Sequence, residues 1–187
     1  FRMITFRLEG TPEMQATLLA LGANAPRAAA SALFQEAEMI MARSKEYVPV
    51  DQTPLRTSGH VQLPKILGSY ASVNMGYGGA AAPYAIYVHE GIGPAVGRPA
   101  FYPGKEMLKA LTGWVRRNIG GSEQEIRQIT FLVARAIGRR GLKPVKFLER
   151  AVNEARAGME LRIGKRLNVW LQAKARAAMS SGHHHGH

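Results

Sequence analysis

Histidine is scarce in this chain. Only His60 and His89 lie outside a terminal cluster formed by His183, His184, His185 and His187. His89 precedes Glu90, and a His-Glu pair could transfer protons or hold a metal ion. As neighbours on a strand the two side chains would point to opposite faces and could not share a small site without a bulge. A structural or interface role is therefore expected of the pair, and not catalysis. Asp51 is the single aspartate. The glutamates from Glu106 onward sit among basic residues on predicted helices, and no two acids converge as carboxylate-pair hydrolysis requires. Cysteine is absent, which removes disulfides, thiolate catalysis and Cys-ligated zinc together. The terminal histidines could bind nickel or zinc weakly, but a solvated tail or purification remnant is the expected reading. Gly76-Tyr77-Gly78-Gly79 is followed by Ala80-Ala81-Ala82-Pro83 and not by a lysine-bearing helix start, so it is no phosphate loop. Tyr70, Tyr77, Tyr84 and Tyr87 could stack bases, yet no RNP-like motif accompanies them, and packing is their expected task. Catalytic, cofactor-binding and metal sites are all expected to be absent.

The elements that must position these residues read as α+β, with a small antiparallel sheet packed against a long N-terminal helix and C-terminal helices. Ile4-Thr5-Phe6-Arg7-Leu8 alternates and predicts a strand at 3–9. Thr11, Pro12 and Glu13 supply a helix start. The helix runs to Tyr47 on the stripe Leu18, Leu21, Ala25, Ala28, Ala32, Met39 and Ile40. Pro26 should kink it or split it after Asn24, and Val48-Pro49 ends it. Residues 50–58 read as a loop. Strands follow near 59–64, 69–78 and 84–90, then an irregular loop from Pro94 to Pro103. Helices are expected at 105–118, from Ser122 to Arg139 with a Ser122/Glu125 capping box, and from Pro144 to Met179. The whole reads as one domain over 1–179, with a flexible His-rich tail at 180–187.

At 187 residues and 46% hydrophobic composition the chain can bury roughly 70% of its unfolded surface. No apolar run approaches the ~18–20 residues of a membrane span. The opening FRMITFRLEG has neither a signal-peptide layout nor an initiator Met at position 1. Charge is lopsided. Residues 1–104 carry 8 basic and 7 acidic side chains, residues 105–187 carry 17 and 6, and the chain totals +12. Such a field attracts nucleic-acid phosphates or an acidic protein surface. Arg116, Arg117, Arg139, Arg140 and Lys143 cluster beside predicted helix ends and are the candidate contacts. Complementing the helix dipole is their plainer role.

Three segments carry a resemblance. The first is Pro49-Val50-Asp51-Gln52-Thr53-Pro54-Leu55-Arg56-Thr57-Ser58. The second is Tyr84-Ala85-Ile86-Tyr87-Val88-His89-Glu90-Gly91-Ile92. The third comprises Arg98-Pro99-Ala100 and then Lys146-Phe147-Leu148-Glu149-Arg150-Ala151. In this order and spacing the chain resembles the neck or tail-completion proteins of long-tailed bacteriophages. That family has Pro-x-Asp-Thr-Gly-x-Leu-Arg-x-Ser, then Tyr-Ala-x-Tyr-Val-Glu-x-Gly-Thr, then Arg-Pro and Phe-Leu-x-x-Ala elements. Here Gln52-Thr53 replaces Thr-Gly, and the acid of the second motif is displaced by one.

The resemblance implies a structural virion protein, assembled in the host cytoplasm, which joins a DNA-filled head to its tail as a cyclic ring, most often six-fold. Adjacent neck, head-closure and tail-terminator or tail-tube proteins would be its partners, with phage DNA in the channel a further contact and no membrane involved. It assigns Asp51, Leu55, Arg56, Tyr84, Tyr87, Glu90, Gly91 and Arg98 to turns and interfaces. The alternative from another class is a basic nucleic-acid-binding module that meets phosphates through residues 105–176, without a helix-turn-helix signature. On the turn-forming reading of Asp51, Asp51→Asn should keep most of the turn, because its side-chain oxygen still accepts backbone N–H bonds. Asp51→Ala should cost about 1 kcal/mol in a denaturation midpoint. Equal damage from both substitutions would show that the charge itself matters.

Overall fold

Pro26 decides where the long helix is seen to begin. It lacks an N–H and its ring clashes with the preceding turn, so a helix tolerates it only at the start. Helix α1 spans Ala25–Tyr47, with the Ala25 N–H bonded to the Gly22 carbonyl at 3.0 Å and Gly22 at φ +81°. The structure, a computed structural model, describes residues 4–9, 22, 25–49, 53–68 and 70–181. The helix start expected at Thr11, Pro12 and Glu13, the Asp51 turn and the terminal histidines lie outside those residues.

The remaining elements are β1 (Ile4–Glu9), α2 (Thr53–Ser58), β2 (His60–Val61), β3 (Lys65–Leu67), β4 (Tyr70–Tyr77), α3 (Ala85–Glu90), a 3₁₀ turn (Gly93–Val96), α4 (Lys105–Asn118), α5 (Glu123–Arg140), α6 (Phe147–Arg156) and α7 (Met159–Ser181). The fold is α+β: a small antiparallel sheet, a long N-terminal helix and C-terminal helices. The strand order is β1-β4-β2, and β3 also pairs with β4. Packing divides the chain into two interleaved units. One comprises Phe1–Thr5, Met41–His60 and Gly76–Val152, and the other Phe6–Ile40, Val61–Met75 and Asn153–His187.

In the second unit, Ala25, Ala28, Ala29, Ala32, Leu33, Ala37 and Ile40 are buried along α1, the spacing of one helical face. Glu36 lies fully buried on that helix. Arg162 reaches its Oε1 from Nε at 2.9 Å, and Arg166 reaches its Oε2. Two guanidiniums thus neutralise one desolvated carboxylate, and leaving that carboxylate alone would cost about 3–5 kcal/mol. Ala71, Ser72, Val73 and Met75 are buried in succession on β4, so that strand is covered on both faces. Against it, β3 sets Lys65, Ile66 and Leu67 opposite Ser72, Ala71 and Tyr70 in antiparallel register.

In the first unit, Ile126, Thr130, Ala134 and Gly138 form a buried line every four residues along α5, which packs on α4. Ser122 caps α5: its hydroxyl accepts the Glu125 N–H, and the Glu125 carboxylate takes the Ser122 N–H. This is the expected capping box, and the Ser122 bonds hold the Glu125 carboxyl below its usual range. Gly138 lets the chain pass at close range, since the Phe101 N–H bonds its carbonyl at 3.0 Å.

Three expectations need correction. Residues 84–90 form helix α3 and not a strand: the β-favouring Tyr, Ile and Val are overridden by tertiary packing, and Gly91 at φ 73° ends the helix. The loop at 50–58 contains helix α2 over Thr53–Ser58, with Pro54 in its first turn. The last helix is two, broken at Ala157-Gly158, where Gly158 takes φ +75°. The close approach at Gly138 gives a sharp prediction. A Cβ there would lie 2.0 Å from the Phe101 carbonyl oxygen. Gly138→Ala, which in an open helix stabilises by about 1 kcal/mol, should instead lower unfolding free energy by about 2–3 kcal/mol in urea titration.

Candidate functional site

Two helix ends meet around His89. At the C-terminus of α3 the carbonyls of Val88 and His89 have no partner within their own helix. The following strand-like segment supplies them, with the Val145 N–H at 3.0 Å from the first and the Lys146 N–H at 3.1 Å from the second. Upstream, Ile92 and Leu142 exchange both backbone bonds, at 3.0 and 2.9 Å. Lys146 then takes φ +55°, the left-handed conformation, and is the one non-glycine to do so among the described residues. That turn costs roughly 1–2 kcal/mol and redirects the chain into α6. Lys146 also binds Glu90 through Nζ at 2.5 Å and Glu149 at 3.0 Å, which offsets part of the strain.

His89 completes the junction from the other side. Its ring is 1% exposed. Nδ1 lies 2.8 Å from Glu90 Oε1, and Nε2 accepts the Glu149 backbone N–H at 3.4 Å. An acceptor at Nε2 requires the proton on Nδ1, so the neutral ring donates to Glu90 and caps an orphan N–H in the first turn of α6. Phe147 packs edge-on against His89 and against Tyr77, with ring centroids 4.8 Å apart in both pairs. Tyr77 is anchored in turn: its hydroxyl donates to Ser44 Oγ at 2.5 Å, and Ser44 donates to the Met41 carbonyl. Burial pushes the Tyr77 phenol up to about 12.

The described motif residues lie in the same unit as this junction. Leu55 is fully buried, and Arg56 donates from Nη2 to the Val48 carbonyl at 2.9 Å. Gly91 is required by close approach, because a Cβ would lie 2.6 Å from the Leu142 carbonyl oxygen. Tyr84 is half-buried, and burial raises its pKa against the opposing charge of Arg117. Tyr84 and Tyr87 line an apolar groove of about 280 Å³ with Pro49, Trp114, Ile137 and Lys143. Tyr87, Glu90, Gly91, Arg98 and Glu106 line a second, more polar cleft of about 480 Å³.

Among the basic candidates, Arg116 is held by Glu123 at 2.7 and 3.0 Å. Arg117 and Lys109 border a third cleft of about 170 Å³ beside Tyr84. Arg139, Arg140 and Lys143 are exposed at and after the end of α5. Of these cations Lys143 lines the groove that Val88 and Val145 also border.

His89, Tyr77, Phe147, Lys146 and Ser44 were missed as a group. The strand reading separated His89 from Glu90, whereas consecutive positions at a helix terminus allow their side chains to meet. The signal available was Gly91 directly after a short amphipathic run, a helix-stop pattern. What the arrangement can do is architectural: both His89 nitrogens are occupied and the ring is enclosed. Among the described residues no helix is long and apolar enough to cross a membrane.

Burial holds His89 below its usual 6.5, with the Glu90 bond opposing this in part. The unfolded chain therefore takes up that proton at higher pH than the fold does. Stability from His89 should be complete above about pH 6.5 and decline as pH falls towards the folded pKa. His89→Leu should cost about 2–3 kcal/mol near neutral pH, from the lost bonds and the unsatisfied partners, and should flatten the stability profile between about pH 7 and 5. An unchanged profile in that variant would refute the assignment.

Comparison with family models, with curated proteins and with solved structures found no match.

Proposed function

We propose that this chain is a structural subunit of a phage neck, a tail-completion or head–tail joining protein that works as a closed ring and performs no catalysis. One observation carries the reading. The three segments that carry the resemblance, separated by up to a hundred positions, converge on a single junction. Pro49 lines one groove with Tyr84, Tyr87 and Val145, α3 is capped by Val145 and Lys146, and Phe147 packs on His89. Motifs that matched by accident would have no reason to be neighbours. The junction's buried, mutually capped helix ends suit a rigid part that bears load and does not turn over a substrate.

On this reading copies of the chain form a cyclic ring, most often six-fold, between head-closure and tail proteins inside a virion. The cations of residues 105–187 then meet DNA phosphates or acidic faces of adjoining rings. Their exposure along helix surfaces, without a recognition helix, suits diffuse phosphate contact that lets DNA slide. The alternative, a monomeric nucleic-acid-binding module, shares that charge but has no use for the groove beside Tyr84 and Tyr87.

Electron microscopy of the purified chain and of virions carrying a tagged copy tests the reading. Closed rings and a label at the head–tail joint are expected. A concentration-independent monomer that is absent from virions would sink it. The charge makes a separate expectation: Arg139→Glu with Arg140→Glu should weaken duplex binding and lower the salt slope by about 2. An unchanged slope would assign both residues to solubility.

A further inference from the structure

The sheet carries an apolar projection that the fold does not use. In the hairpin β3–β4, Leu63, Ile66 and Leu67 are 81%, 43% and 71% exposed. Among the described residues β3 has β4 as its one strand partner, and its three residues are exposed. Pro64 and Lys65 guard this strand against indiscriminate strand addition. Side chains, and not backbone, are what this hairpin offers. Lys65 is the single charge from Val61 to Ala71, and it shares a face of β3 with Leu67.

The other unit carries a matching receptor. The groove of about 280 Å³ is walled by Pro49, Tyr84, Tyr87, Trp114 and Ile137, enough room for one or two leucine side chains. Tyr87 also borders the cleft that holds Glu90 and Glu106. Glu90 is engaged by Lys146, whereas the exposed Glu106 makes no ion pair with any described residue. An apolar slot beside a carboxylate that has no ion pair among the described residues complements two leucines beside a lysine.

We propose that the Leu63–Leu67 hairpin of one copy inserts into the Tyr84/Tyr87 groove of a second copy, with Lys65 meeting Glu106. The two surfaces are different patches of the same chain, so the contact is heterologous and propagates from copy to copy until it closes. The inference rests on the ring reading only in requiring that copies meet.

The chain has no cysteine, which makes the test direct. Purified Leu67→Cys chains are mixed with Lys143→Cys chains and treated with a short bismaleimide. A two-chain product well above that from Leu67→Cys with the exposed control Arg127→Cys is expected. Adding Glu106→Lys to the groove chain should lower its yield about tenfold, and Lys65→Glu on the hairpin chain should restore it. Because every substituted side chain is exposed, folding is retained, and far-UV circular dichroism checks this. Yield equal to the control, or no effect of the charge swap, overturns the proposal. So does cross-linking of Lys143→Cys to a foreign protein in an infected lysate when purified chains give none. Rings that form without this cross-link would refute the hairpin contact and leave the neck reading standing. Cross-linked open chains absent from virions would do the reverse.

Discussion

A helix must hand its unsatisfied backbone groups to something, and here two helices hand theirs to each other. The carbonyls ending α3 take the N–H groups of Val145 and Lys146, while the first turn of α6 takes the imidazole of His89. Neither α3, at six residues, nor α6, at ten, is long enough to stand in water alone. The junction makes both possible. Tyr77, Phe147, Leu55 and Leu148, all fully buried, are then the apolar filling around it, and the left-handed Lys146 is the strain accepted to close it.

That constraint explains which residue types the site uses. An ionised group in the place of His89 would be desolvated beside Phe147, whereas a neutral imidazole gives one donor and one acceptor in fixed directions. Glu90 and Lys146 sit at the rim, where water moderates their charges, and the strength of such a pair is modest. The enclosed, fully bonded ring differs from a catalytic histidine, which needs a free nitrogen at a surface that substrate can reach. A different balance operates in the sheet-bearing unit, where the buried Glu36 carboxylate is bonded by both Arg162 and Arg166.

The proposed ring and the proposed hairpin contact place function on the outside of this frame. Grooves beside Tyr84 and Tyr87 exist because α3 is held at a fixed place by its cap, so the rigidity of the junction and the shape of the surface are one property. Charge is distributed separately, over α4 to α7, where most cations are exposed, Arg162 and Arg166 being held instead by the buried Glu36.

Much of the fold could be read from residues one at a time. The capping box of α5, the stop at Gly141, Pro26 in the first turn of α1 and the strand at 4–9 all follow from local chemistry: a hydroxyl three residues before a glutamate, a residue without a Cβ, a ring without an N–H. The order of the three motif segments was likewise visible in the chain. What residues alone could not decide was the state of 84–90 and the meeting of those segments. Tyr, Ile, Tyr and Val favour a strand in isolation, and only the backbone donors of Val145 and Lys146, more than fifty positions later, tip the balance to a helix. The same distance hid His89, whose partners Glu149 and Phe147 lie about sixty residues away. Local propensity is worth tenths of a kcal/mol per residue, and satisfying buried backbone groups is worth more, so tertiary structure had the last word there.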